Sequence, residues 1–169
     1  MIFFLVGLPG CGKSSLGKKF SHILGYPFYD LDHSIEAGEG RTIAELFTLH
    51  GEQNFRKLEQ KYLHETKNIE KAVVATGGGT PCFFNNMELI NSLGTSIFLD
   101  VSPKEIAHRL SESGISKRPL LKGKSREDIC ITLEHLRHAR LLYYSQSHIS
   151  IANPDIRFSD LILKGLEKI

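Results

Sequence analysis

Disulfide chemistry has little to work with in this chain. Cys11, Cys82 and Cys130 are odd in number and far apart, which excludes a disulfide framework and suits a reducing compartment. There is no C-x-x-C pair and no Cys/His run to suggest zinc. Charge imbalance is also missing. A formal net charge of +2 is too small to draw the chain to nucleic acid or a membrane, so neither is expected as a partner. No apolar stretch approaches the length of a membrane span. Met1–Val6 is apolar but short and lacks a basic flank, so it reads as a core strand and not a signal peptide. Repeats and low-complexity linkers are absent too. One compact domain over residues 1–169 in a cytoplasmic setting is expected.

What is present begins at the first strand. Ile2–Val6 runs directly into Gly7-Leu8-Pro9-Gly10-Cys11-Gly12-Lys13-Ser14, which matches the phosphate-binding pattern G-x-x-x-x-G-K-[ST]. Glycines let the backbone N–H groups approach phosphate oxygens that a Cβ would hold off. The helix opening at Lys13 turns the positive end of its dipole on the same anion. Lys13 adds a mobile cation, and Ser14 a hydroxyl for Mg²⁺. Cys11 reads as a small residue of the loop, although a helix N-terminus favours its thiolate.

Strand and helix patterns then alternate. Helix is expected over 13–24, ending at Gly25, and a second strand at Phe28-Tyr29 leads into Asp30-Leu31-Asp32. Helices follow over 34–38 and 42–67, with a break at Gly51. A third strand over 72–76 closes on Gly77-Gly78-Gly79. Further helices are expected over 85–92, 103–112, 125–144 and 159–168, with strands over 96–100 and 149–152. This order argues for an α/β fold, a parallel sheet covered by helices on both faces. Ligands of such sheets sit at the carboxyl ends of the strands, where the first loop, Asp30/Asp32 and the three glycines all fall.

Several residues there can carry chemistry. Asp30 and Asp32, two apart, point the same way if the chain is extended. One can then hold Mg²⁺ through water while the other accepts a proton from a hydroxyl; the alternative is Asp32 capping the next helix. Arg56 lies at the edge of the stripe Phe55, Leu58, Tyr62, and on pattern alone it belongs to a surface ion-pair row with Glu52, Glu59 and Gln60. Arg140 stands where the stripe Ile129, Leu133, Leu136 asks for leucine. It therefore needs an anionic partner, either a structural carboxylate or a ligand. Arg137 is expected to face solvent. Three glycines at 77–79 exceed the needs of a turn and suggest close approach of a ligand or another backbone. Residues 113–124 form a basic segment with Lys117, Arg118 and Lys122, either a solvated loop or a lid whose Arg118 reaches a transferring phosphoryl group. Asp100 ends an apolar strand and imitates a Walker B aspartate, and is read as a decoy.

Taken in order, Gly7–Ser14, Asp30-Leu31-Asp32, Phe55-Arg56-Lys57-Leu58-Glu59, Gly77–Gly79, Arg118-Pro119-Leu120-Leu121 and Arg140 with Tyr144 resemble the shikimate kinases, small P-loop kinases. The likeness runs from Ile2 to about Asn153. It implies a three-layer α/β/α fold with sheet order 2-3-1-4-5 and a lid at about 113–124. It also implies ATP-dependent phosphorylation of the 3-hydroxyl of shikimate. By the same resemblance Gly10, Cys11, Gly12, Lys13, Ser14 and Ser15 bind ATP phosphates, with Arg109 and Arg118 as further ATP contacts. Ser14, and Asp30 through water, hold Mg²⁺. Asp32, Arg56, Gly77, Gly78, Gly79 and Arg140 bind the acceptor, the two arginines gripping its carboxylate. Lys13, Asp32 and Arg118 carry the catalysis. A monomer is expected. The loop Asn153-Pro154-Asp155 departs from the family, which often has a basic residue there near the adenine. A kinase for gluconate or a nucleoside monophosphate on the same scaffold is the alternative.

Overall fold

The computed structural model describes residues 1–113 and 125–152, with residues 112 and 113 described through their backbone alone. The basic segment with Arg118, the loop Asn153-Pro154-Asp155 and the helix expected over 159–168 lie outside the described residues.

The sheet has five parallel strands, β1 (Ile2–Val6), β2 (Phe28–Asp30), β3 (Ala72–Ala75), β4 (Thr95–Asp100) and β5 (Ile149–Ala152), in the order β2-β3-β1-β4-β5. β1 and β3 are buried at every position, as central strands covered on both faces must be. The edge strand β5 alternates half-buried with exposed residues.

Helices α1 (Lys13–Leu24), α2 (Leu31–Glu39), α3 (Ile43–Glu65), α4 (Asn86–Leu93), α5 (Pro103–Ser113) and α6 (Arg126–Tyr144) cover the sheet. Local chemistry accounts for their ends. α1 stops at Gly25, whose left-handed backbone (φ 65°) lets the last N–H groups turn back onto His22 and Ser21. Thr42 and Glu45 form a reciprocal capping box at the start of α3. The expected break at Gly51 appears as a kink (φ 71°, ψ 169°).

The core joins β1, β3 and β4 to α1 and α6, with Phe3 edge-on to Phe20 and Phe98 against Tyr144, each pair 5.1 Å between centroids. A smaller cluster of Ile35, Leu46 and Phe55, flanked by Phe47, Leu58 and Tyr62, fastens α2 to α3. This second cluster fixes the face of α3 that carries Arg56.

Register sets the level of the site. Asp30 pairs with Ala75, Ala75 with Leu5, and Leu5 with Ile97. Asp30, Ala75 and Leu5 thus stand side by side near the strand ends, and the segments that leave them carry Asp32, Gly77 and Gly7.

One expectation fails here. β2 ends at Asp30 and α2 already starts at Leu31, longer than the expected 34–38. Asp30 and Asp32 are therefore not two residues of one extended strand. Asp30 occupies the N-cap position without a side-chain cap bond, and Asp32 sits in the first turn of the helix. Neither strand alternation nor capping by Asp32 describes the pair.

Candidate active site

The phosphate loop is held open by its own backbone. Gly7, Gly10 and Gly12 have φ of 142°, 87° and 103°, values that an L side chain rarely adopts. A Cβ on Gly7 would also stand 2.9 Å from the Leu99 carbonyl oxygen. The Lys13 side chain is buried and folds back, its Nζ donating to the carbonyls of Gly7 and Leu8 at 2.9 Å each. Cys11 lies fully buried with its Sγ 3.9 Å from Lys13 Nζ. Burial shields that thiol, so its place at a helix N-terminus does not make it a reactive group. Ser14 and Ser15 are exposed. Ser14 Oγ donates to Asp30 Oδ2 at 2.6 Å, which sets a hydroxyl and a carboxylate side by side.

Three successive glycines tie the loop to the rest of the site. A Cβ on Gly77 would fall 2.6 Å from Glu59 Oε1, 2.7 Å from Thr80 Oγ1 and 2.8 Å from Asp32 Oδ1. One on Gly78 would meet Pro9 Cδ of the phosphate loop at 2.9 Å, and one on Gly79 would fall on the Arg56 guanidinium. The close approach expected at this segment is thus made by the protein's own acid, loop and arginine. The carbonyl of Gly78 accepts a 2.5 Å hydrogen bond from the Tyr144 hydroxyl.

Arg56 departs from the surface row that its spacing suggests. It is buried, and Glu59, its partner on the next turn, is 2% exposed. Glu59 Oε2 accepts from Nη1 at 2.5 Å, while Glu52 Oε1 accepts from Nη2 at 3.0 Å and from Nε at 3.3 Å. A guanidinium has five N–H groups; one on each terminal nitrogen is left over from these bonds. Burial works against the charge, but Glu59 and Glu52 more than offset it and hold the pKa above its ordinary value. A hollow of about 370 Å³ opens beside Arg56, lined by Glu52, Gln53, Phe83 and Phe84.

Asp32 is the perturbed acid of the site. Burial, then the charges of Glu59, Asp30 and Glu36, push its pKa up to about 6, while Lys13 pulls the other way. Such a carboxylate is ionised at neutral pH and still basic enough to accept a proton.

Arg140 is half-buried, near enough to the Tyr144 hydroxyl and the Cys82 thiol for its charge to act on both. Burial pushes that thiol up to about 11, against the pull of Arg140 and Arg56. Among the described residues no carboxylate forms an ion pair with Arg140. Arg137, expected in solvent, instead donates from Nη2 to both Asp100 oxygens at 2.9 and 3.0 Å. Asp100 is thereby committed to an ion pair, in keeping with its reading as a decoy. Arg109 stands on α5, half-exposed, with Nε 2.7 Å from Glu105 Oε1.

Glu59, Thr80 and Phe83 are site residues that pattern reasoning passed over. Glu59 is the hub, accepting from Arg56 and, at 2.6 Å, from Thr80 Oγ1. A signal existed, because Glu59 is four residues after Phe55 and three before Tyr62, on the apolar stripe, where a charge demands a partner.

Comparison with known proteins matches residues 9–167 to the family described as shikimate kinase. A shikimate kinase of Bacteroides fragilis is 43% identical over 145 residues, covering 86% of this chain and 80% of the relative. The crystal structure of shikimate kinase from Bacteroides thetaiotaomicron superposes with a TM-score of 0.90 at 36% identity, over 99% of this chain and 97% of that one. Shikimate kinase from Acinetobacter baumannii in complex with shikimate gives a TM-score of 0.83 at 32% identity, over 99% and 91%.

Proposed function

This chain belongs to the shikimate kinase family, and from that premise we propose that it transfers the γ-phosphoryl group of ATP to the 3-hydroxyl of shikimate. One observation carries the reading. Asp32, Pro9 of the phosphate loop and Arg56 each stand against a different residue of the segment Gly77–Gly79, which brings proton acceptor, phosphate cradle and carboxylate anchor around one stretch of backbone.

The division of labour follows from the chemistry of each group. Gly10 to Ser15 cradle the ATP phosphates through backbone N–H groups and the helix N-terminus, and Lys13 supplies the cation. The remaining N–H groups on the two terminal nitrogens of Arg56 suit the two oxygens of a carboxylate. Arg140, which has no carboxylate ion pair among the described residues, takes the same anion from the other side. Backbone N–H groups of Gly77, Gly78 and Gly79 border the acceptor. Held there, a cyclic acid turns a hydroxyl toward Asp32, which accepts its proton as the oxygen attacks phosphorus. Catalysis is then chiefly positioning and charge stabilisation.

Oxygen donors at Ser14 and Asp30 fit Mg²⁺, a hard cation that is bound through one or two protein oxygens plus phosphates and water. Bound there, it would neutralise charge on the outer phosphate oxygens. The working unit is proposed to be a monomer. Among the described residues no helix is long and apolar enough to cross a membrane.

An ADP-release assay with an acceptor panel tests the assignment. Turnover is expected with shikimate and not with gluconate or a nucleoside monophosphate; the reverse pattern would reject it.

A further inference from the structure

One wall of the hollow beside Arg56 has no task in the reading above. Phe83 is half-buried, and its ring centroid lies 4.6 Å from the guanidinium carbon of Arg56. Phe47 and Phe55 stand further off, at 5.5 Å each. Glu52 and Glu59 hold Arg56 by its nitrogens, but two of the three bonds go to Glu52, whose side chain is largely exposed, so water competes for them. The Phe83 ring adds a contact that water does not compete for, and the ring quadrupole attracts the cation while keeping water off it.

The backbone around Phe83 is built to keep the ring there. Phe83 follows the short turn Thr80–Cys82 in extended conformation (φ −126°, ψ 152°). The next two residues, Phe84 and Asn85, are both left-handed, with φ of 51° and 57°. Asn tolerates that region, but a bulky Phe does not adopt it without cost. Strain of this kind persists only where the surroundings over-determine it. Asn86 supplies the restraint. Fully buried, it donates from Nδ2 to the Thr80 carbonyl and from its backbone N–H to the Phe83 carbonyl, each at 2.9 Å. Phe83 is therefore pinned from both sides, directly over the arginine.

Building on the assignment of Arg56 to the acceptor's carboxylate, we propose that Phe83 is a positioning residue that fixes the plane of the Arg56 guanidinium. It presents the two N–H groups left by Glu52 and Glu59 together to that carboxylate. Phe83 acts through Arg56 and not on the reacting atoms, so its loss weakens acceptor binding and leaves phosphoryl transfer intact.

The test is a set of Phe83 variants of the full chain, made alone and in an Arg56→Lys background, with KM for shikimate and ATP, kcat and Tm measured. Phe83→Leu keeps an apolar filler but removes the ring face. It is expected to raise the shikimate KM about five- to tenfold, with kcat and the ATP KM within about twofold. Phe83→Tyr, which keeps the ring, is expected to stay within about twofold of the parent. In the Arg56→Lys background the Phe83→Leu effect should shrink to less than about twofold, as residues that act as a unit require. Phe83→Met gives the same comparison if the leucine variant does not fold. A shikimate KM unchanged by Phe83→Leu overturns the proposal. So does an equal rise in the ATP KM, or a full effect in the Arg56→Lys background. If Arg56→Lys itself leaves the shikimate KM unchanged, the assignment of Arg56 has failed, and the role of Phe83 falls with it.

Discussion

Replacing Asp32 with Asn should make this protein more stable and less active, and the two effects should separate by pH. Asp32 titrates near 6 in the fold, against an ordinary value of 3.8. Its raised pKa means that the folded state binds this proton more tightly than the unfolded chain. The stabilisation is fully present below about pH 4 and is lost as pH rises through about 6. The interval corresponds to about 3 kcal/mol as an upper bound. Asp32 is half-buried, and residual solvent contact lowers the expected value to about 1–2 kcal/mol. Asn copies the protonated acid in shape and never ionises, so the variant should avoid this cost at neutral pH. In a chain of this size the gain appears as a rise in Tm of roughly 2–8 °C at pH 7.5, shrinking as pH falls toward 4. ADP release with shikimate should drop by about a hundredfold or more in kcat, with ATP binding nearly intact. Thermal melts at pH 5 and pH 7.5, beside steady-state rates, decide the matter. A variant no more stable than the parent at pH 7.5, or one with a gain that does not depend on pH, would refute the electrostatic account. Undiminished turnover would remove Asp32 from the chemistry.

Arg140→Ala should raise the shikimate KM about ten- to a hundredfold; because no carboxylate pairs with Arg140 among the described residues, unfolding should change by less than about 1 kcal/mol. An unchanged KM would make Arg140 structural. Glu59→Gln should cost about 2–4 kcal/mol by leaving the Arg56 charge under-compensated. It should also move the acid limb of the kcat/KM profile to lower pH, because the Glu59 charge helps to hold Asp32 up. Denaturant melts and a pH–rate profile check both parts. Gly79→Ala drives a Cβ into Arg56 and should raise the shikimate KM by roughly tenfold to a hundredfold, whereas Gly78→Ala drives one into Pro9 and should raise the ATP KM as well. Identical kinetic defects in the two variants would refute this division of the loop.

The elements were legible because their signals are local. An apolar run and a glycine after a helix each act within a turn or two of chain. The phosphate loop was legible for the same reason, since eight consecutive residues carry it. Asp32 was harder. Its residue type suggested chemistry, but the extended geometry assumed for it failed when α2 began at Leu31. For Arg56, spacing alone finds the partners Glu52 and Glu59 but places the row at the surface, because spacing along one helix cannot reveal that Phe83, Phe47 and Gly79 close over it.

Sequence by itself determined the strand–helix alternation, the phosphate cradle and the set of charged residues available, since each depends on neighbours in the chain. Only tertiary structure decided what those charges are worth. The raised pKa of Asp32 comes from burial and from Glu59, twenty-seven positions away. The need for three glycines comes from Pro9, Asp32, Glu59 and Arg56 converging on one segment. Electrostatic and steric energies fall off with distance in space, and the fold sets that distance independently of separation along the chain.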